Sequence, residues 1–335
     1  MIRDIEVGDI KARAGEIRLG CLGVMELPDS TQVKIPAIVI NGKGEGPILY
    51  VQAAAHGGEM VGLEVIRRLL REKVTPAELR GGIIGVPVAN VLAYQFGRRT
   101  TPHDDMNLGS AFPGDPEGST TERMAHVLWN AVMKSNAMID MHGNFPPCTA
   151  FLLLNQGAGD EKVREKSKQL AQAFGLTIVY SPPRTGSTVG MGGPRGMGGL
   201  ALERGIASFS VELIDARRLN EVSIDLGTRG LLNVLKALKM VDGQIERQPS
   251  EYVWGNGWVE NGGVITAHRG GVLHITKEPG KKILKDEVVA KIFNLWGDEL
   301  EAVRMPFDGF IRSYTYRVHQ AVASGDTIAY ITKTK

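Results

Sequence analysis

The hydrophobic patterning of the chain changes near residue 248. Before it, short continuous apolar runs alternate with stretches of helical period; after it, helical period disappears and short apolar runs are separated by glycine turns. Residues 47–55 predict a buried central strand that delivers His56 at its carboxyl end. The next stretch puts Val61, Val65, Ile66, Leu69 and Leu70 on one helical face. Residues 82–88 predict a second buried strand, and Thr120-Thr121-Glu122 opens a helix running to Met133, with a capping hydroxyl and an early acid. Residues 137–141 predict a strand ending at His142. A helix over 160–174, strands over 176–180 and 206–213, and a helix over 219–242 continue the alternation. Residues 1–45 read as extended segments with turns, clearest over 32–40. Strands alternating with helices imply an α/β core with a largely parallel sheet, and such sheets place their sites beyond the carboxyl ends of the strands.

The region after 248 holds an internal repeat. Gly271-Val272-Leu273 leads to the run 286–292, and Gly309-Phe310-Ile311 leads to the run 325–331. The two halves resemble the barrel-sandwich of biotinyl and lipoyl carrier domains. A carrier domain presents a lysine at the hairpin between its halves, but here that stretch reads Leu295-Trp296-Gly297-Asp298-Glu299-Leu300. The chain is therefore divided into a catalytic unit over 1–248 and a β module over 249–335 with a structural or substrate-gating role.

Composition narrows the function. A net charge of +2 over 335 residues gives no reason to expect nucleic acid or an anionic membrane as partner. No apolar stretch approaches the ~20 residues of a membrane span, and the first residues lack a signal-peptide core. Cys21 and Cys148 stand far apart with no CxxC spacing, which favours free thiols in a reducing cytoplasm over a disulfide or a thiolate metal site.

Three separate pieces carry candidate chemistry. His56-Gly57-Gly58-Glu59 offers an imidazole and a carboxylate that can meet one ion if the chain turns, and the two glycines permit that turn. Asp140-Met141-His142 offers a second imidazole after a strand, with Asp140 either its hydrogen-bond acceptor or an ordinary strand-end acid. Ser210-Val211-Glu212-Leu213 places a carboxylate in an apolar run, where partial desolvation raises its pKa and suits it to proton transfer. Two His and a carboxylate with an open position, plus a spare Glu as general base, is an arrangement of zinc hydrolases.

With these pieces and Asn90, Arg99-Thr100-Thr101-Pro102-His103-Asp104-Asp105, Asn107-Leu108 and Phe112-Pro113-Gly114, the chain over roughly 45–335 resembles the succinylglutamate desuccinylase/aspartoacylase family of the zinc carboxypeptidase superfamily. The resemblance implies a zinc-carboxypeptidase-like mixed, largely parallel sheet flanked by helices. It also implies one Zn2+ per chain held by His56, Glu59 and His142, with Glu212 as general base and acid. Arg99, or the adjacent Arg98, would polarise the scissile carbonyl or bind a substrate carboxylate. The expected activity is hydrolysis of the amide bond of a small N-acylated substrate. A carboxypeptidase-type peptidase is the alternative, and a non-catalytic binding protein on the same fold a third reading. Homo-oligomerisation is left open.

One departure stands out. The family usually reads Asn-Leu-Asn-Arg before its Phe-Pro-Gly, and this chain reads Asn107-Leu108-Gly109-Ser110-Ala111-Phe112-Pro113-Gly114. The Asn-Arg pair that would grip a substrate carboxylate is absent. Either another arginine takes its place or the substrate lacks that group. The glycine-rich stretch 182–199 supplies two candidates, Arg184 and Arg195, which could close over an anion or remain solvated.

Overall fold

Burial follows the apolar runs. A computed structural model describes residues 3–145, 147–155, 157–181, 196–254, 257–315 and 320–334. In chain order the first strands are β1 (Ile5–Val7), β2 (Ile10–Ala12), β3 (Glu16–Glu26), β4 (Gln32–Asn41) and β5 (Gly44–Ala53). Then come α1 (Val61–Arg68), β6 (Arg80–Val86), α2 (Val91–Phe96), α3 (Thr120–Val132), β7 (Ala137–Asn144) and β8 (Phe151–Asn155). They are followed by α4 (Glu161–Phe174), β9 (Ile178–Ser181), α5 (Met197–Glu203), β10 (Ala207–Ile214) and α6 (Glu221–Ala237). The last region contains β11 (Trp258–Thr266), β12 (Gly271–Ile275), β13 (Val288–Phe293), β14 (Glu299–Arg304), β15 (Gly309–Tyr314), β16 (Gln320–Val322) and β17 (Thr327–Lys333). No helix among the described residues is long and apolar enough to cross a membrane.

An eleven-stranded sheet in the order β15-β17-β11-β9-β8-β10-β7-β5-β6-β4-β3 spans the molecule. Its centre, β6-β5-β7-β10, is parallel as the alternation predicts. Antiparallel pairing enters at β4 and β3 on one side, and at β8, β17 and β15 on the other, so the whole sheet is mixed rather than largely parallel. The strand β8 is the departure from expectation: it enters between β10 and β9, antiparallel to the first and parallel to the second.

Helices cover both faces of the sheet. On one, Val65 and Ile66 of α1, Leu170 and Phe174 of α4 and Leu231 and Val234 of α6 pack over Val51, Ile139 and Val211. On the other, Met124 and Leu128 of α3 and Met197 and Ala201 of α5 join Ile84 and Tyr50. Each such buried aliphatic side chain stabilises by about 1.5–3 kcal/mol. The α3 helix starts at Thr120, as the sequence indicates, and Ser119 and Glu122 form a reciprocal capping box.

The β module divides between two sheets. β14-β13-β12-β16 forms an antiparallel sheet of its own, while β11, β17 and β15 extend the large sheet, with β11 running parallel to β9. Ile265, Leu273, Ile292, Ile311 and Ile331 fill the space between them. β15 also reaches the entrance of β8. The Thr149 N–H donates to the Arg312 carbonyl at 2.8 Å, and the Tyr314 N–H to the Pro147 carbonyl at 3.0 Å. The far end of the sheet thus curls back toward the strand ends that carry the candidate site.

Candidate active site

Parallel register brings the candidate residues into rows. Gln52 and Ser210 flank Asp140, and Glu212 stands beside His142 at the carboxyl ends of β5, β7 and β10. The chain leaves β5 through Ala54, held at φ 51°, a left-handed conformation that costs a non-glycine residue of order 1 kcal/mol. It then turns at His56-Gly57-Gly58-Glu59, the Glu59 N–H donating to the His56 carbonyl at 3.0 Å. Gly57 lies against the backbone of α2, where an added Cβ would come within 2.0 Å of the Ala93 carbonyl. Its N–H donates to the Arg98 carbonyl at 2.8 Å, so the turn is keyed to the start of the arginine loop.

The polar contacts form one series. His56 Nδ1 lies 2.7 Å from Glu59 Oε1, and His142 Nδ1 lies 2.8 Å from Glu59 Oε2. On its other side His142 Nε2 meets Asp140 Oδ2 at 3.0 Å. Asp140 Oδ1 accepts from Gln52 Nε2 at 3.0 Å, and Gln52 Oε1 accepts from the Tyr50 hydroxyl at 2.8 Å. Asp140 is thus the hydrogen-bond partner of an imidazole, the first of its two readings. Burial would raise Glu59, but the two imidazoles outweigh it and leave the carboxyl at about 2. Burial would likewise lower His142, yet the carboxylates of Asp140 and Glu59 on either side hold it well above the ordinary histidine value.

One donor atom each from His56, Glu59 and His142 lies within 4.8 Å of the others. Zinc is bound by imidazole nitrogens and carboxylate oxygens at ~2.0–2.2 Å, so donors grouped this closely could converge on one ion. Two imidazole nitrogens and a carboxylate are the donor types such an ion takes, so the residues fit the cation that the sequence pattern implies.

Glu212 is half-buried and accepts a hydrogen bond from Asn144 Nδ2 at 2.8 Å. Burial raises its carboxyl to about 7; His142 and Arg99 pull it down, and Glu59 and Asp140 push it up. A cleft of ≈ 680 Å³ opens over it, with His56, Glu59, His142 and Arg99 on the α/β side. Arg98 is exposed and does not line the cleft. Asn107, Gly109 and Ser110 do line it, but the Asn107 side chain is engaged in capping its own turn, accepting from the Gly109 N–H at 2.9 Å. Arg184 and Arg195 lie outside the described residues. The end of their glycine-rich stretch begins α5, and Gly196 to Gly199 form part of the cleft wall.

Several cleft groups escaped the sequence reading. Asn144 in the cleft, and Gln52 buried behind Asp140, do carry a local signal, as polar residues at strand positions beside candidate groups. Asn261, Arg312 and Tyr330 come from the β module, and no local pattern marks them. Arg312 is only 3 % exposed, and burial lowers its guanidinium to about 10 while the Glu212 carboxylate acts in the opposite direction.

A mixed sheet with helices on both faces and a His-Glu-His cluster at its central strand ends defines a carboxypeptidase-like α/β protein. The fold is shared with a metallo-carboxypeptidase from Burkholderia cenocepacia, at a TM-score of 0.52 and 15% identity over 68% of this chain and 66% of that one. Residues 45–238 match the model of the succinylglutamate desuccinylase/aspartoacylase catalytic domain, and the chain belongs to that family. It is 26% identical over 326 residues to the N-alpha-acetyl-L-2,4-diaminobutyric acid deacetylase of Halomonas elongata, covering 92% of this chain and 90% of that protein. It also superposes on a succinylglutamate desuccinylase/aspartoacylase from Rhodobacter sphaeroides, with a TM-score of 0.81, 24% identity and 95% of each chain covered. The product-bound ectoine utilization protein EutE (DoeB) of Ruegeria pomeroyi gives a TM-score of 0.83 at 21% identity, with 99% of each chain covered.

Proposed function

We propose that this protein is a zinc-dependent deacylase that hydrolyses the amide bond of a small N-acylated amino compound. The observation that carries the reading is the His56–Glu59–His142 donor set beside a raised carboxyl, Glu212, at the floor of one cleft. Membership of the deacylase family and the similarity to a deacetylase support it. His56, Glu59 and His142 would hold the ion, which when bound supplies Lewis acidity to the amide carbonyl and acidifies water.

The remaining steps belong to the chain. Glu212, steadied by Asn144, takes the proton of the attacking water and passes it to the leaving nitrogen; a carboxyl near 7 can do both at neutral pH. Arg99 donates to the oxygen on which negative charge develops. Asp140, held by Gln52, fixes the orientation of the His142 ring. The two free thiols, Cys21 and Cys148, suit a cytoplasmic enzyme.

A peptidase is the alternative, supported by the carboxypeptidase neighbour. Against it, Asn261, Val264, Arg312 and Tyr330 of the β module wall one side of the cleft and shorten the room for an extended peptide. Zinc-loaded protein assayed on N-acyl amino acids and on blocked dipeptides separates the two; turnover of the peptides alone would refute the deacylase reading. Glu212→Gln should keep its zinc and lose about 10²–10⁴-fold in kcat, and near-normal turnover would remove Glu212 from its role.

A further inference from the structure

We infer that Arg312, delivered to the cleft by the β module, is a receptor for a carboxylate on the substrate. The inference rests on the deacylase reading for the identity of the molecule that bears the carboxylate. It answers the question left by Gly109 and Ser110, which line the cleft without a cationic side chain.

Backbone irregularity places the residue. β15 and β17 shift register between Ile311 and Ser313, which makes Arg312 the extra residue of a β-bulge. β11 shifts between Asn261 and Gly263, opposite the same strand β17. Bulges re-aim side chains and recur beside active sites. Here they bring Asn261 and Arg312 together: Arg312 Nη2 donates to Asn261 Oδ1 at 2.9 Å, and the same oxygen accepts from the Gly263 N–H at 3.0 Å. The guanidinium also lies 5.4 Å from the ring centre of Phe151 and 6.0 Å from that of Tyr330. Phe151 is the register partner of Glu212, so the held guanidinium is a neighbour of the proposed base.

What the guanidinium lacks is an anion. Among the described residues no carboxylate forms an ion pair with Arg312, and its buried Nε has no hydrogen-bond partner. A buried guanidinium with no ion-pair partner, acted on by the Glu212 carboxylate without a direct contact, is costly, and a side chain needed only for packing would not carry that charge. Its fork geometry matches a carboxylate with two parallel hydrogen bonds. A substrate carboxylate bound there accepts from the guanidinium where it lines the cleft and neutralises the charge, while the rest of the molecule extends toward Glu212 and the donor set. The carboxylate can sit on the amine half or at the far end of the acyl half.

The test uses zinc-loaded, full-length wild type and Arg312→Met, with Arg312→Lys as the conservative variant. Four substrates are compared: the N-acetyl and N-succinyl derivatives of L-2,4-diaminobutyrate and of its carboxamide. Wild type should prefer the form carrying the recognised carboxylate by about 10–100-fold in kcat/KM, mainly through KM. Arg312→Met should erase that preference, and Arg312→Lys should restore part of it. Loss of preference between acid and amide places the carboxylate on the amine half; loss between succinyl and acetyl places it on the acyl half. If Arg312→Met lowers all four substrates equally and keeps the preference, Arg312 acts on structure or on Glu212 and the inference is wrong. If wild type turns over none of the four, the deacylase reading fails for this substrate set, and calorimetry decides on Arg312 by itself. Succinate and L-2,4-diaminobutyrate are then titrated into wild type and variant. Binding of either that disappears in Arg312→Met upholds the carboxylate receptor, and absent or unchanged binding overturns it.

Discussion

On the α/β side of the cleft, Tyr50, Gln52, Asp140, His142, Glu59 and His56 form an unbroken series of hydrogen bonds, each charged group flanked by a partner. On the β-module side, Arg312 has one neutral partner and a bare Nε. Both regions are buried, so the same low polarity acts on each. In the first it strengthens a network that is already satisfied; in the second it leaves a charge without an ion pair. The first region carries its own partners, and on the proposed reading it would exchange hydrogen bonds for coordination of a cation. The second has no such partner, and the proposed one is an anion. On the proposed reading the two walls receive the opposite ends of one substrate: the reacting amide at the donor set, and a carboxylate at the module.

The largest expected effect comes from breaking the satisfied side. His142→Ala removes one donor and strands two carboxylates, so bound zinc should fall from about one equivalent to near zero and activity by at least ~10³-fold. Metal analysis beside the assay checks this, and retained zinc would show that His142 is not a ligand. Asp140→Asn should weaken zinc binding by about 10–100-fold, since it acts through the orientation of His142. A chelator competition measures that difference.

In metal-free protein Glu212 has a folded-state pKa near 7, against an ordinary 4.5. Below 4.5 the group is protonated in both states and contributes nothing. Between 4.5 and 7 the unfolded chain ionises while the folded protein keeps its proton, so rising pH lowers stability across that window. Metal-free Glu212→Gln should therefore gain on wild type by on the order of 2 kcal/mol above pH 7 and match it at pH 4. Urea unfolding at the two pH values shows whether the gap opens. Smallest is Arg312→Met, which should leave stability unchanged or raise it by about 1 kcal/mol, because it removes a buried unpaired charge while keeping an apolar stem. A loss of 3 kcal/mol or more in thermal or urea unfolding would mark Arg312 as a structural partner and erase the contrast between the two walls.

Much of the first wall was legible in the sequence. His56, His142 and Glu212 each sit at or near the end of an apolar run, and parallel strands aligned by those runs bring their carboxyl ends together. The Gly57-Gly58 turn was legible too, because only a small residue fits against the Ala93 backbone. The choice between Arg98 and Arg99 was not. The two are adjacent and chemically identical, and only the path of the loop turns Arg99 toward the cleft. The antiparallel entry of β8 was equally hidden, since a short apolar run carries no mark of its direction.

By itself the sequence determined the α/β frame and pointed to the proposed donor set and the proposed base, because these depend on local patterning: residue type, strand period, and the place where an apolar run ends. It also registered a lack, at Gly109 and Ser110. Only the tertiary structure decided what stands across the cleft from them. Arg312 lies a hundred residues beyond Glu212 in sequence, and it reaches the site through long-range pairing, a curled sheet edge and a bulge in β15. Those features depend on how strands distant in the chain register against one another, and the energy that sets that register is spread over many contacts that no single segment encodes.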